Sequence, residues 1–441
     1  MLKIIYLKSV LLFLIIFSIK AQNPIFPAGM FIADPSAHVW KDGKIYIYGS
    51  LDEKLGQYCS HKHHVYASSD LINWDLTPNA FASQGQNDQV SYSDLILYAP
   101  DCQYKNGIYY LYYCLASDQH TEGVATSNSP LGPFMKGTEI NTYGNDQIDP
   151  CVFIDDDGQA YYIWGQFSAK MAKLKPNMIE IDSTSIKNGI VTEKEHFFHE
   201  GGYLVKRKGI YYFVYAHMGR GNKPTCIGYA TSKSVFGPYK YGGVIIDNAH
   251  CGTGVWNNHG SIVEFNKQWY IFYHRSTHGS ATMRKTCIEP IFFNKDGSIN
   301  EVEMTSQGAG KPLNALNKIE AERACVLSGN VRVVYDGIDK EYLTQMNSGD
   351  HAGYKYIDFG TGVDSIIIFS AACKNGGYLQ INLDQPWGKT VGGIAIPDKG
   401  DGITYKYFSA KLEKIEGIHS LWFKFWSKDT DIMNLDYFQF K

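Results

Sequence analysis

Long stretches of helical periodicity are nearly absent from this 441-residue chain. Apolar residues rarely recur at a 3.6-residue spacing, which removes helical bundles and strand–helix alternation as first readings. A basic excess is also lacking, since the formal net charge is -3; nucleic acid partners usually leave a positive footprint. The nine cysteines, scattered from Cys59 to Cys373, include no CxxC pair, so zinc and dithiol redox chemistry have no motif to stand on. Their odd number would leave at least one thiol unpaired in an oxidising compartment, and no pairing can be read from their spacing. Past the first two dozen residues no apolar run approaches the roughly 20 residues of a spanning helix.

Those first residues, MLKIIYLKSVLLFLIIFSIKAQ, combine Lys3 and Lys8, an apolar run from Val10 to Ile19, and the small Ala21 before a polar segment. This layout predicts a signal peptide over residues 1–21, hence a secreted or periplasmic product with no membrane association once the leader is removed.

What the chain does contain is 32 tyrosines, 23 phenylalanines and eight tryptophans beside 43 glycines. Such a composition suits many short strands joined by tight turns, an all-β fold. Five segments superimpose: DPSAHVWKDGKIYIYGS from Asp34, APDCQYKNGIYYLYYC from Ala99, DPCVFIDDDGQAYYIWG from Asp149, EGGYLVKRKGIYYFVYA from Glu200 and HGSIVEFNKQWYIFYH from His259. Each reads as a hairpin of a short strand, a polar turn and an aromatic strand. Repetition at such intervals predicts a five-bladed β-propeller over residues 22–305, rather than a sandwich with coincidental hairpins. In three repeats the turn glycine (Gly43, Gly158, Gly209) follows an acid (Asp34, Asp149, Glu200) at one offset. These acids therefore hold equivalent places at the inner ends of three blades, facing one channel. Residues 306–318, rich in Gly, Asn and Pro, read as a linker. Strand patterning resumes over residues 319–441, predicting a separate β-sandwich (jelly-roll) domain.

Three carboxylates around one axis would repel one another and separate their pKa values, giving a protonated acid and an ionised base at one pH. Glycoside hydrolysis with inversion needs that pair, about 6.5–9.5 Å apart. The bland alternative is that Asp34 and Asp149, each before a proline, only punctuate turns.

The stretches ADPSAHVW, YAPD, IDPCVFIDDDG, HEGGYLVKRKGIYYFVYA and HGSIVEFNKQWYIFYH resemble glycoside hydrolase family 43, whose fold is a five-bladed propeller and whose members invert configuration at furanosides and xylosides. The resemblance implies Asp34 as general base, Glu200 as general acid, and Asp149 as the residue that orients Glu200 and raises its pKa. The setting of Glu200 among aromatics and glycines agrees with a protonated form. The resemblance further implies substrate-contacting or channel positions for Trp164, His274, Arg284 and Tyr98, the last replacing the Trp of the family's WAPD motif, with a calcium ion near His274. The run Asp155–Asp157 reads instead as a solvated turn.

In the second domain KIEAERA and NLDYFQF resemble the first and last strands of carbohydrate-binding module family 6. Glu320 and Glu322, two apart on a strand, would share a face and with Asp436 supply oxygens to a structural Ca²⁺. At the sugar-binding positions stand His351, Tyr405 and Asn434, with fewer aromatics than such a cleft normally has, so a structural companion role is open. The expected function is an exported, monomeric, exo-acting inverting glycosidase that needs no cofactor for its chemistry. It would remove α-L-arabinofuranosyl or β-D-xylosyl groups from plant-type polysaccharide or oligosaccharide. Galactose-type or galactofuranosyl substrates, a non-catalytic glycan-binding protein, and a retaining fructan-active enzyme are the alternatives.

Overall fold

The computed structural model describes residues 22–117, 119–427 and 430–441; the predicted leader lies outside them. Helix is confined to the four-residue turn Glu193–His196 and two 3₁₀ turns among the described residues. Everything else regular is strand.

Five antiparallel sheets form the first domain. Four have four strands each, spanning Ile32–Ala82, Leu97–Glu139, Cys151–Thr192 and Phe198–Asp247. The fifth has three, between Ser261 and Ile291. The first hairpin of each sheet is one of the five sequence repeats, for example Ile32–Val39 paired with Ile45–Leu51 and Ser261–Phe265 paired with Gln268–Arg275. Gly43, Gly107, Gly158 and Gly209 turn these hairpins with positive φ, while Asn266 and Lys267 serve in the fifth; each of these turns needs a left-handed residue, which Gly and Asn supply most cheaply.

The blades close into a ring because each buries one aromatic or aliphatic face against the next. Phe81 and Tyr113 bridge the first and second blades, Tyr112 and Tyr162 the second and third. Ile32, Ile45 and Ile47 of the first pack on Phe265, Phe272 and Ile288 of the fifth. The start of the described chain covers the exposed edge of the fifth blade, with Ile25 N–H donating to Thr286 O at 3.0 Å and the Asn23 side-chain Nδ2 donating to Ile288 O at 3.0 Å. Covering an edge in this way removes an unpaired row of backbone groups.

The second domain is a sandwich of two six-stranded sheets. One carries His351–Asp358, Ile418–Trp426, Gly377–Leu383 and Thr390–Ile396, the other Glu341–Thr344, Met433–Phe440, Val363–Ala372 and Tyr405–Ile415. Between them lie Ile366, Ile368, Leu379, Ile381, Phe423, Phe438 and other fully buried side chains. The segment expected as a free linker is folded: Ser306 and Gln307 N–H donate to Lys355 O, and Leu313–Asn314 pair in parallel with Ile357–Asp358. Within it Gly308 N–H donates to the Thr305 hydroxyl and Gly310 N–H to Gln307 O. The DDDG turn also differs from expectation at one residue. Asp156 and Asp157 are exposed, but Asp155 accepts from Lys206 Nζ at 2.6 Å and from the Tyr211 hydroxyl at 2.5 Å, fastening the third blade to the fourth.

Candidate active site

Two of the three acids sit on strained backbone. Asp34 has φ 51° and Asp149 φ 62°, a left-handed conformation that non-glycine residues seldom adopt and that a following proline makes less favourable. In the first blade the pairing jumps from Ala33↔Ser50 to Ser36↔Tyr48, so Asp34 and Pro35 bulge out of the ladder. Glu200 lies between two similar irregularities. Bulges re-aim a side chain without ending the strand, and here they turn it toward the channel. The amides so displaced find acceptors on a neighbouring blade: Asp34 N–H donates to His274 Nδ1 at 3.3 Å and Asp149 N–H to Cys114 Sγ at 3.3 Å.

The result is one cavity of about 230 Å³ at the channel mouth. Asp34, Asp149 and Glu200 all line it, and so do Ala99 and His259, so the starting residue of every repeat faces the same space. Its remaining wall includes Tyr58, Tyr98, Gln166, Trp256, Asn257 and Arg284.

Charge is distributed unevenly among the acids. Burial acts to raise the Asp34 pKa, but Arg284, His259 and His274 outweigh it and hold the carboxyl at about 2. Arg284 Nη1 donates to Asp34 Oδ1 at 2.8 Å, while Nε and Nη2 grip Asp52 at 2.9 Å each. The guanidinium, only 2 % exposed, is thus a buried fork between two carboxylates, the geometry for which arginine is suited and lysine is not. Asp149 behaves oppositely: burial, then Glu200, then Asp34, push its pKa well above the ordinary value. Glu200 accepts from Gln166 Nε2 at 2.9 Å and from Asn257 Nδ2 at 3.0 Å. The two side-chain amides thus hold one oxygen of this carboxyl group each.

His259 stands between the first two acids, its Nδ1 3.6 Å from Asp34 and 3.9 Å from Asp149. Burial lowers its pKa. Gly201 has to be glycine beside it, because a Cβ there would lie 2.7 Å from the imidazole and φ is +65°.

The structure brings together Asp34, Asp149, Glu200, Arg284 and Tyr98. Trp164 departs from expectation: it is 1 % exposed, packed on Tyr162 inside the third blade with its indole N–H on Asn145 O, and does not line the cavity. The aromatic wall comes instead from Tyr58, Tyr98 and Trp256, the last 42 % exposed. His274 lies behind Asp34 rather than in the cavity. Its Nδ1 accepts the Asp34 amide, so the proton is on Nε2, which faces Asn257 O at 3.1 Å; burial lowers its pKa to about 3. With its one lone pair used, this imidazole does not fit the calcium expected near it.

The three expected calcium ligands of the second domain do line one cavity, together with Glu341. Only Ile319–Glu320 is strand; the chain then turns through the 3₁₀ segment Ala321–Arg323, so Glu322 reaches the cavity from a turn. Glu322 is half-buried, with desolvation raising its pKa to about 8, and its Oε2 has no hydrogen-bond partner. Lys318 pairs with Glu320 at 2.9 Å and Lys340 with Asp436 at 3.5 Å. The donor chemistry suits a hard cation, although among the described residues no three acids, histidines or cysteines converge as ready ligands. Of the sugar-cleft positions, His351 bonds Ser328, Asn434 is engaged by Thr344 and Gly402, and Tyr405 packs on Phe369 under Lys340.

Comparison with known proteins agrees with this geometry. The profile of glycosyl hydrolases family 43 matches residues 21–299. The chain belongs to glycosyl hydrolase family 43. Residues 326–441 match the carbohydrate binding module family 6, and the chain is a glycoside hydrolase with carbohydrate as its substrate. A xylosidase/arabinosidase from Thermoclostridium stercorarium is 30% identical over 91% of this chain and 95% of its own. An arabinoxylan arabinofuranohydrolase from Bacillus subtilis (strain 168) is 29% identical over 92% and 90% respectively. A solved structure of a family 43 arabinoxylan arabinofuranohydrolase from Bacillus subtilis, in complex with cellotetraose, superimposes with a TM-score of 0.55 at 27% identity, covering 95% of this chain and 97% of that one.

Proposed function

We propose that this family 43 enzyme is an exo-acting, inverting glycosidase that removes terminal α-L-arabinofuranosyl or β-D-xylosyl groups from plant-type polysaccharide or its oligosaccharides. The observation that carries the mechanism is the opposed state of two acids in one pocket, with Asp34 held ionised by Arg284 and Asp149 driven toward protonation. The printed names of the relatives support the sugar assignment.

In the proposed reaction Asp34 takes a proton from water as that water's oxygen bonds to the anomeric carbon. The glycosidic C–O bond breaks with its electron pair going to the leaving oxygen, which receives the proton of Glu200. Glu200 ends as a carboxylate on the Gln166 and Asn257 amides. Asp149, close enough to Glu200 and Asp34 for their charges to raise its pKa, balances the changing charge and orients Glu200. A cavity of about 230 Å³ suits removal of single terminal groups. We further place the enzyme outside the cytoplasm, on the strength of the leader over residues 1–21, and place a structural Ca²⁺ at Glu320, Glu322 and Asp436, where the unpartnered Glu322 oxygen supports it.

A screen of aryl arabinofuranoside, xyloside, galactoside and galactofuranoside, followed by the matching polysaccharides, tests the sugar assignment. Highest kcat/KM on arabinofuranoside or xyloside is expected; preference for either galactose form would replace it.

A further inference from the structure

Arg284 and Lys285 are neighbours at the start of one strand of the fifth blade, and both are buried. The first grips Asp34 and Asp52 in the pocket; the second points the other way, with Nζ 2.6 and 2.5 Å from the two oxygens of Glu341 in the second domain. Glu341 also accepts Gly29 N–H at 3.0 Å, so its carboxylate joins the two domains at two points.

The turn that delivers Arg284 is tied to the same domain further back. His278 N–H donates to Val333 O at 2.7 Å, and His278 Nε2 accepts Tyr335 N–H at 3.0 Å. Accepting there fixes the tautomer, leaving the proton on Nδ1, which donates to Thr277 Oγ1 at 2.8 Å. The Thr277 hydroxyl in turn donates to Met283 O at 2.6 Å, the carbonyl whose peptide bond continues into Arg284. The imidazole stays neutral, since burial and then Lys285 lower its pKa to about 4. His278 and Met283 both have φ near +60°, conformations that persist where surroundings over-determine them.

We propose that the second domain is a working part of the catalytic pocket: through Glu341 and the Tyr335–His278–Thr277 chain it positions Arg284, and through Arg284 the base Asp34. This rests on the proposed role of Asp34 as base. Glu341, Tyr335, His278 and Thr277 are positioning residues, since none of these four lines the cavity. A domain that matches a carbohydrate-binding module thereby acts on turnover from the far side of a shared buried contact.

The test uses the full chain with five substitutions. Thr277→Val removes the relaying hydroxyl at nearly constant volume, and Thr277→Ser restores it. Glu341→Gln removes the charge opposite Lys285. Tyr356→Phe breaks a different interdomain bond, Tyr356 hydroxyl to Glu303 at 2.7 Å, and serves as the control. With an aryl arabinofuranoside or xyloside, Thr277→Val and Glu341→Gln are expected to lower kcat about tenfold, since small misplacements of catalytic groups carry such penalties, with KM within twofold. The acid limb of their pH profiles should rise as Arg284 loosens from Asp34, whose other titratable neighbours are His259, His274 and Asp149. Thr277→Ser should recover to within twofold of wild type, and Tyr356→Phe should match it. Lower Tm with unchanged kcat and pH profile in the first two variants would overturn the proposal. So would equal losses in Tyr356→Phe. If Asp34→Asn retains full activity, the reading of Asp34 as base fails instead, whatever the other variants do.

Discussion

Replacing Arg284 by lysine keeps the charge and removes the fork. In the wild type one guanidinium reaches Asp34 through Nη1 and Asp52 through Nε and Nη2; a single ammonium can satisfy only one of them well. Asp34 is held at about 2 against an ordinary 3.8, nearly two units, equivalent to about 2.5 kcal/mol of net preference for the ionised form. Loss of the Arg284 contact leaves burial, the largest opposing influence, less compensated, so the pKa of Asp34 rises. The acid limb of kcat/KM should move up by about two units, and kcat/KM near pH 6, where Asp34 is still ionised, should fall roughly 100-fold from lost alignment alone. Stability follows the same linkage. A carboxylate with a depressed folded pKa contributes stability above its unfolded pKa and loses it as pH falls through the folded one. The Tm deficit of Arg284→Lys should therefore be greatest above pH 4 and narrow toward pH 2. A variant that folds and shows an acid limb superimposable on the wild type would refute the assignment of Arg284 as the group that keeps Asp34 ionised.

Glu200→Gln should abolish hydrolysis of alkyl or sugar aglycones yet spare dinitrophenyl glycosides, which leave without protonation; equal loss on both, measured by steady-state kinetics, would contradict a general-acid role. Trp256→Ala should raise KM for oligosaccharides several-fold with kcat nearly unchanged, because the half-exposed indole forms wall rather than catalytic machinery; a kcat loss of similar size would argue against this. Added Ca²⁺ should raise Tm and chelator lower it, with Glu322→Gln abolishing the response, as read by calorimetry. No shift in the wild type would remove the cation from Glu320, Glu322 and Asp436.

The fold was legible because the hairpin repeats carry their own register. The rule that three repeat-start acids face one channel holds for all five starts, so it also places Ala99 and His259 in the cavity. His259 was visible in that register and went unassigned only because it is not a carboxylate. Gln166 and Asn257 gave no such sign: both lie in loops, whose course depends on packing between blades rather than on local pattern. Trp164 differs for a related reason, since the family resemblance that places it near substrate cannot say that side chains of the second blade cover it. The coupling of Arg284 to Glu341 joins residues 57 apart in different domains, and neither periodicity nor motif connects them.

Stereochemistry at the anomeric carbon tests the central claim most directly. Proton NMR of the first-formed sugar, followed during hydrolysis of an aryl arabinofuranoside or xyloside before mutarotation, should show the anomer opposite to the substrate's. It should vanish in Asp34→Asn. A first product with the substrate's own configuration would require a nucleophile in place of a base, and would contradict the assignment of Asp34.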